Sequence, residues 1–472
     1  MDRSLVHRDG SKRPHRCDSR SPRASTRFHG VSPSQSRTLR QAAESLAEVW
    51  ADPPRNHQPL SASFRQPLID SSRYLAPMTD VAANTIGSAT TESARHAGRQ
   101  RPLRVCILAP SIRILGGQSR QAERLMLGLA NEPSVEIGFI SHDVNLPPPL
   151  RVLQRVKYVR TAVTALVYWV TAIARLWRYD VIHAYSASYW SYVVCVVPIV
   201  LLGKLYGKKV LLNYHSGEAA DHLANWRLTA IPIIRLADMI VVPSGYLVDI
   251  FARFGLRARA IHNVVEVDEF RYRERRPIRP VFLTSRLHEP LYNVPCVLRA
   301  FAIIQRQRPE ASLVVAGDGW MRPQLEQLAN ELGLRNTRFV GRVPWHSMPD
   351  LYDASDVYLT ATNIDNMPGS VIECLSCGLP VVTTNAGGIP YIVTHEETAL
   401  IVPRDDHEAL AAQALRLLED DGLAVQLGRR GRQACKTFTW PAVREAWLSA
   451  YHELGDASMG KGPGTPSRME IQ

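Results

Sequence analysis

The stretch DNMPGSVIECLSCGLPVVTTNAGGIPYIV, residues 365–393, places two carboxylates and two glycine-bearing breaks inside one strand-helix-strand unit. The apolar run before it, VYLTAT (357–362), reads as a buried strand that ends in the loop NIDNMPG. A helix opening at Ser370 stops at Gly378, because glycine provides a left-handed cap and the nearby proline prevents another turn. PVVTTN (380–385) is the next strand and runs into AGG, with Pro390 placed to open a further helix. Both loops therefore follow strand carboxyl ends, where open α/β sheets take their ligands. A helix start beside a glycine offers free N–H groups and partial positive charge, which suit a phosphate.

Asp365 lies in the loop and Glu373 in the opening turn of the helix. Ionised carboxylates accept hydroxyl hydrogen bonds, so the pair suits sugar hydroxyls on either side of a diphosphate. Ser370-x-x-Glu373 also has the form of a capping box, in which Glu373 bonds back to the Ser370 N–H.

Outward from this unit the same pattern repeats. Short apolar runs at 104–110, 136–141, 180–185, 209–215, 239–244 and 258–264, then at 280–285, 312–317, 338–343, 357–362 and 380–385, alternate with helix-length amphipathic segments. Near-continuous apolar strands separated by helices form parallel sheets covered on both faces, and each half has enough strands for its own. The expected fold is α/β, with two Rossmann-like, doubly wound parallel-sheet domains facing a central cleft. The expected divisions are a first domain over 101–270, a second over 278–440, a closing helix over 441–455 and a flexible tail over 456–472. The charged, proline-containing EFRYRERRPIRP (269–280) is the linker, and the helical run spans about 406 to 455.

Residues 1–100 are rich in Arg, Ser, Pro and Gln and read as a disordered extension without the apolar core of a signal peptide. Their composition has the character of an organelle transit peptide, and Met78 offers a second start. Residues 1–77 hold thirteen Lys/Arg against seven Asp/Glu, half of the formal charge of +12, so the folded part is only mildly basic. The seven cysteines show neither a disulfide nor a zinc spacing, which fits a reducing cytosol. Cys374-Leu-Ser-Cys377 reads as two small helix residues or a redox pair. No uncharged apolar run reaches the ~18 residues of a membrane span. TAVTALVYWVTAIA (161–174), flanked by arginines, and YWSYVVCVVPIVLLG (189–203) read as buried helices or as a surface resting on an anionic membrane. The basic tail lacks the interleaved aromatics of a nucleic-acid binder.

The acidic residue, seven residues and Glu of Asp365…Glu373, followed by CGLPVV (377–382) and GGIP (387–390), resembles the retaining glycosyltransferases of family four, which have the GT-B fold. LGGQSRQAERL (115–125) looks like that family's glycine loop and first helix, NYHSGEA (213–219) like its histidine motif, and HNVVEVDEF (262–270) like the segment entering the linker. VVAGDG (314–319) and FVGRV (339–343) look like the strand ends around a nucleotide base. The resemblance implies that Glu373 holds the ribose of a nucleoside diphosphate sugar, Asp365 holds the transferred sugar and Arg286 neutralises the diphosphate. It also implies His215 on the sugar side, Gly116 and Gly117 at the phosphates or acceptor, and N–H groups around Gly369, Ser370 and Val371 at sugar and phosphate. Gly317, Arg342 and Val343 fall near the base. His215 reads equally as a core histidine at a strand end.

Two departures stand out. Asp365 occupies the place of the commoner Glu, and Tyr292 the place of a lysine that pairs with the diphosphate. The implied reaction is sugar transfer from a nucleoside diphosphate sugar to a hydroxyl of a glycan or lipid-linked acceptor, with no cofactor. Without an Asp-x-Asp motif, no metal is implied. The expected location is cytoplasmic, with a peripheral seat on the inner membrane face as its variant. A non-catalytic sugar-nucleotide binder, motivated by Tyr292, and a sugar-nucleotide epimerase are the rivals. A nicotinamide oxidoreductase fails, because SIRILGGQSRQAE lacks G-x-G-x-x-G spacing.

Overall fold

The computed structural model describes residues 101–111, 116–143, 157–186 and 188–458. The expectations for residues 1–100, and for the tail beyond Ser458, lie outside these.

Two six-stranded sheets form, in which every paired strand is parallel. The first holds β1 (Leu103–Ala109), β2 (Val135–Ser141), β3 (Val181–Ser186), β4 (Lys209–Tyr214), β5 (Met239–Val242) and β6 (Arg259–Ala260), in the order β2-β1-β3-β4-β5-β6. The second holds β7 (Val281–Ser285), β8 (Ser312–Ala316), β9 (Thr337–Gly341), β10 (Val357–Leu359), β11 (Val381–Thr384) and β12 (Leu400–Val402), in the order β12-β11-β10-β7-β8-β9. Each order reverses once, between β1 and β3 and between β7 and β10. Those reversals open the crevices at which doubly wound sheets bind ligands. This is the GT-B arrangement, and the two sheets are called the N- and C-terminal lobes below.

All eleven expected strands are present, most of them shorter than expected. The run at 258–264 pairs only over Arg259–Ala260, and β12 was not expected. Four apolar residues between EET and PRDD are too few to show a period. The helical run after 406 divides into His407–Glu419, Asp421–Ala434 and Trp440–Ser458. Asp406 and Asp420 start the first two by accepting from the N–H groups of Ala409 and Leu423 at 2.8 and 2.9 Å. The third crosses back, and its Val443, Trp447, Tyr451 and Leu454 join Val105, Ile107 and Leu211 in the core of the N-terminal lobe. Pro390 opens only a single 3-10 turn, Ile389–Tyr391.

The 269–280 linker is not loose. Phe270 and Arg275 are buried, and Arg275 donates to the carbonyls of Tyr352 and Cys377. Arg273 and Arg279 both hold the buried Asp356, each at 2.6 Å. The linker's charges therefore dock it onto the C-terminal lobe. The first apolar segment forms the helix Lys157–Arg175, and Val159–Arg178 is long and apolar enough to cross a membrane by length and composition. Its Tyr168, Ala172 and Leu176 are nevertheless buried in the core over the sheet. Cys374 and Cys377 are free, buried thiols, with Cys377 Sγ donating to the Glu373 carbonyl at 3.0 Å.

Candidate active site

The C-terminal crevice lies between β7 and β10, and the residues after those strands meet there. Arg286 follows β7 and Asp365 follows the β10 strand end. One guanidinium nitrogen of Arg286 bonds the Asp365 carboxylate, and another donates to Ser370 Oγ at 3.1 Å. Ser370 Oγ also receives the Tyr358 hydroxyl at 3.1 Å. Burial works against the charge on Arg286, but the Asp365 carboxylate outweighs it and holds the pKa above the ordinary arginine value. Arg286 Nε is buried and unpartnered, which leaves one N–H aimed at no protein group.

Tyr292 lies under this arginine, its ring centroid 4.2 Å from the guanidinium carbon. Burial pushes its hydroxyl up to about 12, so the residue in the lysine's place is neutral. The ring contributes a cation–π contact of ~0.5–2 kcal/mol to Arg286 and no positive charge.

The helix after the loop runs Gly369–Ser376, with Pro368 at its N-cap and no side-chain cap. The capping box is thus not made. Instead Glu373 Oε2 accepts from the Tyr352 hydroxyl at 2.9 Å, and Oε1 lies 3.9 Å from Arg124. The Val371 N–H bonds the Pro368 carbonyl at 3.2 Å and its side chain is core, which leaves the amides of Gly369 and Ser370 as the helix-start donors without an intrahelical partner.

The glycines divide into two groups. At Gly387, with φ +49°, an added Cβ would stand 2.0 Å from the Asp365 carbonyl, and at Gly388 it would stand 1.8 Å from that of Asn366. These glycines let β11's loop support the acidic loop, and Gly388 N–H bonds the Asp365 carbonyl at 3.0 Å. Gly317, at φ +122°, does the same for Arg286, whose carbonyl would lie 1.9 Å from its Cβ. It therefore shapes the arginine's loop. At Gly117 a Cβ would meet nothing within 4 Å, and at Gly116 only Ser119 Oγ at 3.9 Å. Residues 112–115 of that loop lie outside the described residues. Arg342 is exposed beyond β9, and Val343 packs partly against the C-terminal core.

The N-terminal lobe reaches this site through the helix Gly117–Leu129. Arg124 is buried, bonds Glu266 at 2.9 Å and the Val264 carbonyl at 3.0 Å, and approaches Glu373. Arg120 stands 3.8 Å over the Trp345 ring and bonds Glu266 at 3.0 Å. Ser244 Oγ bonds Asn366, and Asn263 N–H meets Met367 Sδ at 3.3 Å. His215, just after β4, is half-buried and stacks on Tyr185 at 5.0 Å. Tyr185 in turn stacks on His183, which bonds Tyr451 at 2.8 Å. Burial lowers His215 to about 3, so its ring is neutral. Sequence reading missed Arg124, Tyr352, Tyr358 and the pair Glu218 and Glu289. Burial raises the pKa of both these carboxyls, and Glu289 adds to the rise at Glu218.

The family model of glycosyltransferase family 4 matches residues 115–269, and that of glycosyl transferases group 1 matches 268–434. The chain belongs to the family-four, group 1 glycosyltransferases. Within that family it is 26% identical over 295 residues to a glycogen synthase of Mycobacterium tuberculosis, covering 59% of this chain and 69% of the relative. It is 29% identical over 170 residues to an O-antigen chain mannosyltransferase B of Escherichia coli, covering 35% of this chain and 44% of the relative. Among solved structures, Anabaena HepE in complex with UDP and glucose superposes with TM-score 0.58 at 16% identity, over 74% of this chain and 99% of that one. Sucrose-phosphate synthase from Thermosynechococcus elongatus superposes with TM-score 0.60 at 20% identity, over 75% and 100%. At these identities the superpositions establish the fold. The family match supports transfer of a sugar from a nucleotide-sugar donor to a glycan acceptor.

Proposed function

We propose that this glycosyltransferase is retaining: it moves a sugar from a nucleoside diphosphate sugar to a hydroxyl of a glycan or lipid-linked acceptor and keeps the anomeric configuration. The observation that carries the reading is Arg286 at the β7/β10 crevice, joined to both Asp365 and Ser370, with its Nε–H unpartnered. When the bond from sugar to diphosphate breaks, the electron pair leaves with the phosphate oxygen. The fixed, largely buried guanidinium, together with the Gly369 and Ser370 amides, meets that charge where such donors act most strongly. Glu373, held by Tyr352, accepts ribose hydroxyls. Asp365, shorter than a glutamate by one methylene, accepts a hydroxyl of the transferred sugar while keeping Arg286 charged. Neutral His215 offers a ring nitrogen to the same sugar. Gly116 and Gly117 leave backbone approachable, Arg342 and Val343 border the base, and no cofactor takes part. A cytoplasmic location belongs to the same reading.

The test is a thermal-shift screen of the full chain against nucleotides and nucleotide sugars, followed by NMR of the product's anomeric coupling. A donor-specific shift that Glu373→Ala abolishes, with a retained anomer in the product, is the expected result. An inverted product refutes retention. Tyr292, neutral where the family carries a lysine, favours a second reading as a non-catalytic binder, and a donor shift without turnover on any acceptor selects it.

A further inference from the structure

The helix Lys157–Arg175 and the turn Leu176–Arg178 after it turn an apolar face outward. Leu166, Val170, Ile173 and Trp177 are each more than half exposed, at the spacing i, i+4, i+7, i+11 that puts them on one stripe. The opposite face carries Tyr168 and Ala172 into the core. Next to the stripe, Leu201 and Leu205 are exposed on the helix Val197–Leu205, which is tied to the first by the Tyr206 hydroxyl donating to the Ile173 carbonyl at 3.0 Å. An amphipathic helix of a globular protein hides its apolar face, and this one is apolar on both.

The charges on this segment have one sign, and Asp180 just beyond it is held by Arg101 and Arg104. Residues 157–178 contain Lys157, Arg160, Arg175 and Arg178 and no Asp or Glu. Among the described residues neither Arg175 nor Arg178 has a carboxylate within ion-pair distance, and Arg178 lies beside the Trp177 ring at 5.2 Å. A tryptophan next to arginines at the end of an apolar stripe matches the boundary between acyl chains and headgroups. From Val159 to Trp177 the stripe is ~27 Å long at ~1.5 Å rise per residue and about 10 Å wide. That is about 270 Å², well short of the ~800 Å² per partner of a stable protein interface.

We propose that this face is a membrane-docking surface: it beds its apolar stripe in the boundary of an anionic lipid bilayer, with Arg175 and Arg178 on the headgroups. The proposal goes beyond the donor site and is independent of it, since docking requires neither sugar nucleotide nor turnover.

The test uses the full chain and floats it with vesicles of phosphatidylcholine alone and of phosphatidylcholine with about one third phosphatidylglycerol. Binding to the anionic vesicles is expected to fall at least about ten-fold for Leu166→Glu with Ile173→Glu, with donor-induced thermal shifts unchanged. Arg175→Gln with Arg178→Gln is expected to weaken binding and flatten its salt dependence. Brominated lipids are expected to quench the wild type more than Trp177→Phe. Binding that persists in the double glutamate variant, or none to anionic vesicles at low salt, overturns the proposal, because the basic N-terminal residues or nothing would then be the contact. A lipid-free dimer that the same glutamates dissolve also overturns it, in favour of a second copy as occupant.

Discussion

The two lobes share a sheet plan and differ in where they leave large apolar side chains exposed. In the C-terminal lobe, Leu287, Trp320, Trp345, Ile364 and Tyr391 all lie in loops or 3-10 turns beyond strand ends. In the N-terminal lobe, Leu166, Val170, Ile173, Leu201, Leu205 and Leu228 lie on outer helices. Burial works against charge in both lobes, and the neighbours decide the outcome. Arg286 stays charged because Asp365 is beside it, and His183 and His215 are held neutral because no acid is. The C-terminal lobe is thus organised around a ligand's charge, and the N-terminal lobe supplies neutral rings inside and an apolar face outside.

The strongest challenge to this contrast is Arg286→Ala. It removes the cation at the crevice and is expected to lower kcat/KM by about 10²–10³-fold, while vesicle binding stays at the wild-type level. An equal loss of both, measured in parallel, would mean that the two lobes do not divide their tasks. Next is Gly388→Ala, whose methyl would collide with the Asn366 backbone. Thermal unfolding is expected to show a loss of about 2–3 kcal/mol, with Gly117→Ala, where a methyl meets nothing, as the silent counterpart.

The neutral rings give a pH prediction. His183, buried and lowered to about 3, binds its proton in the unfolded chain first, near the ordinary ~6.5. Stability is therefore full above that value and is lost as pH falls from about 6.5 toward 3. The loss from this residue is about 2 kcal/mol between pH 7 and pH 5, and the slope of Tm against pH is expected to flatten in His183→Asn. The smallest effect is expected from Tyr352→Phe. Losing one hydrogen bond to Glu373, about 1 kcal/mol, raises the donor KM by about five-fold and leaves kcat in place. A fall in kcat instead would assign Glu373 to the reacting sugar.

The parallel sheets and the crevice were readable because strand runs such as VCILAP and VVTTN are apolar over their whole length and are punctuated by Gly and Pro. Arg286, Asp365, Ser370 and Glu373 were readable because three of them share one loop and helix. The partners that set their geometry were not. Tyr352 comes from a helix before β10, and Arg124 from the other lobe, 249 residues before Glu373 in the chain. No spacing links residues that meet only through tertiary folding. The capping box was a local pattern overruled by such partners, since Tyr352 offers Glu373 a better-placed donor than its own helix start does. The glycines of AGG and GDG read as ligand-binding breaks. All four, Gly317, Gly319, Gly387 and Gly388, instead let one loop lie against another, a requirement visible only once the backbones are side by side.

The last helix has a consequence for the order in which the molecule is made. The N-terminal sheet is synthesised first, yet Val105, Ile107 and Leu211 find part of their covering only in Val443, Trp447 and Leu454, and His183 finds its hydroxyl only in Tyr451. The earliest strands off the ribosome must wait for nearly the whole chain before their core closes. A nascent chain that stops short of Trp440 therefore leaves its oldest part, and not its newest, exposed to proteases and chaperones.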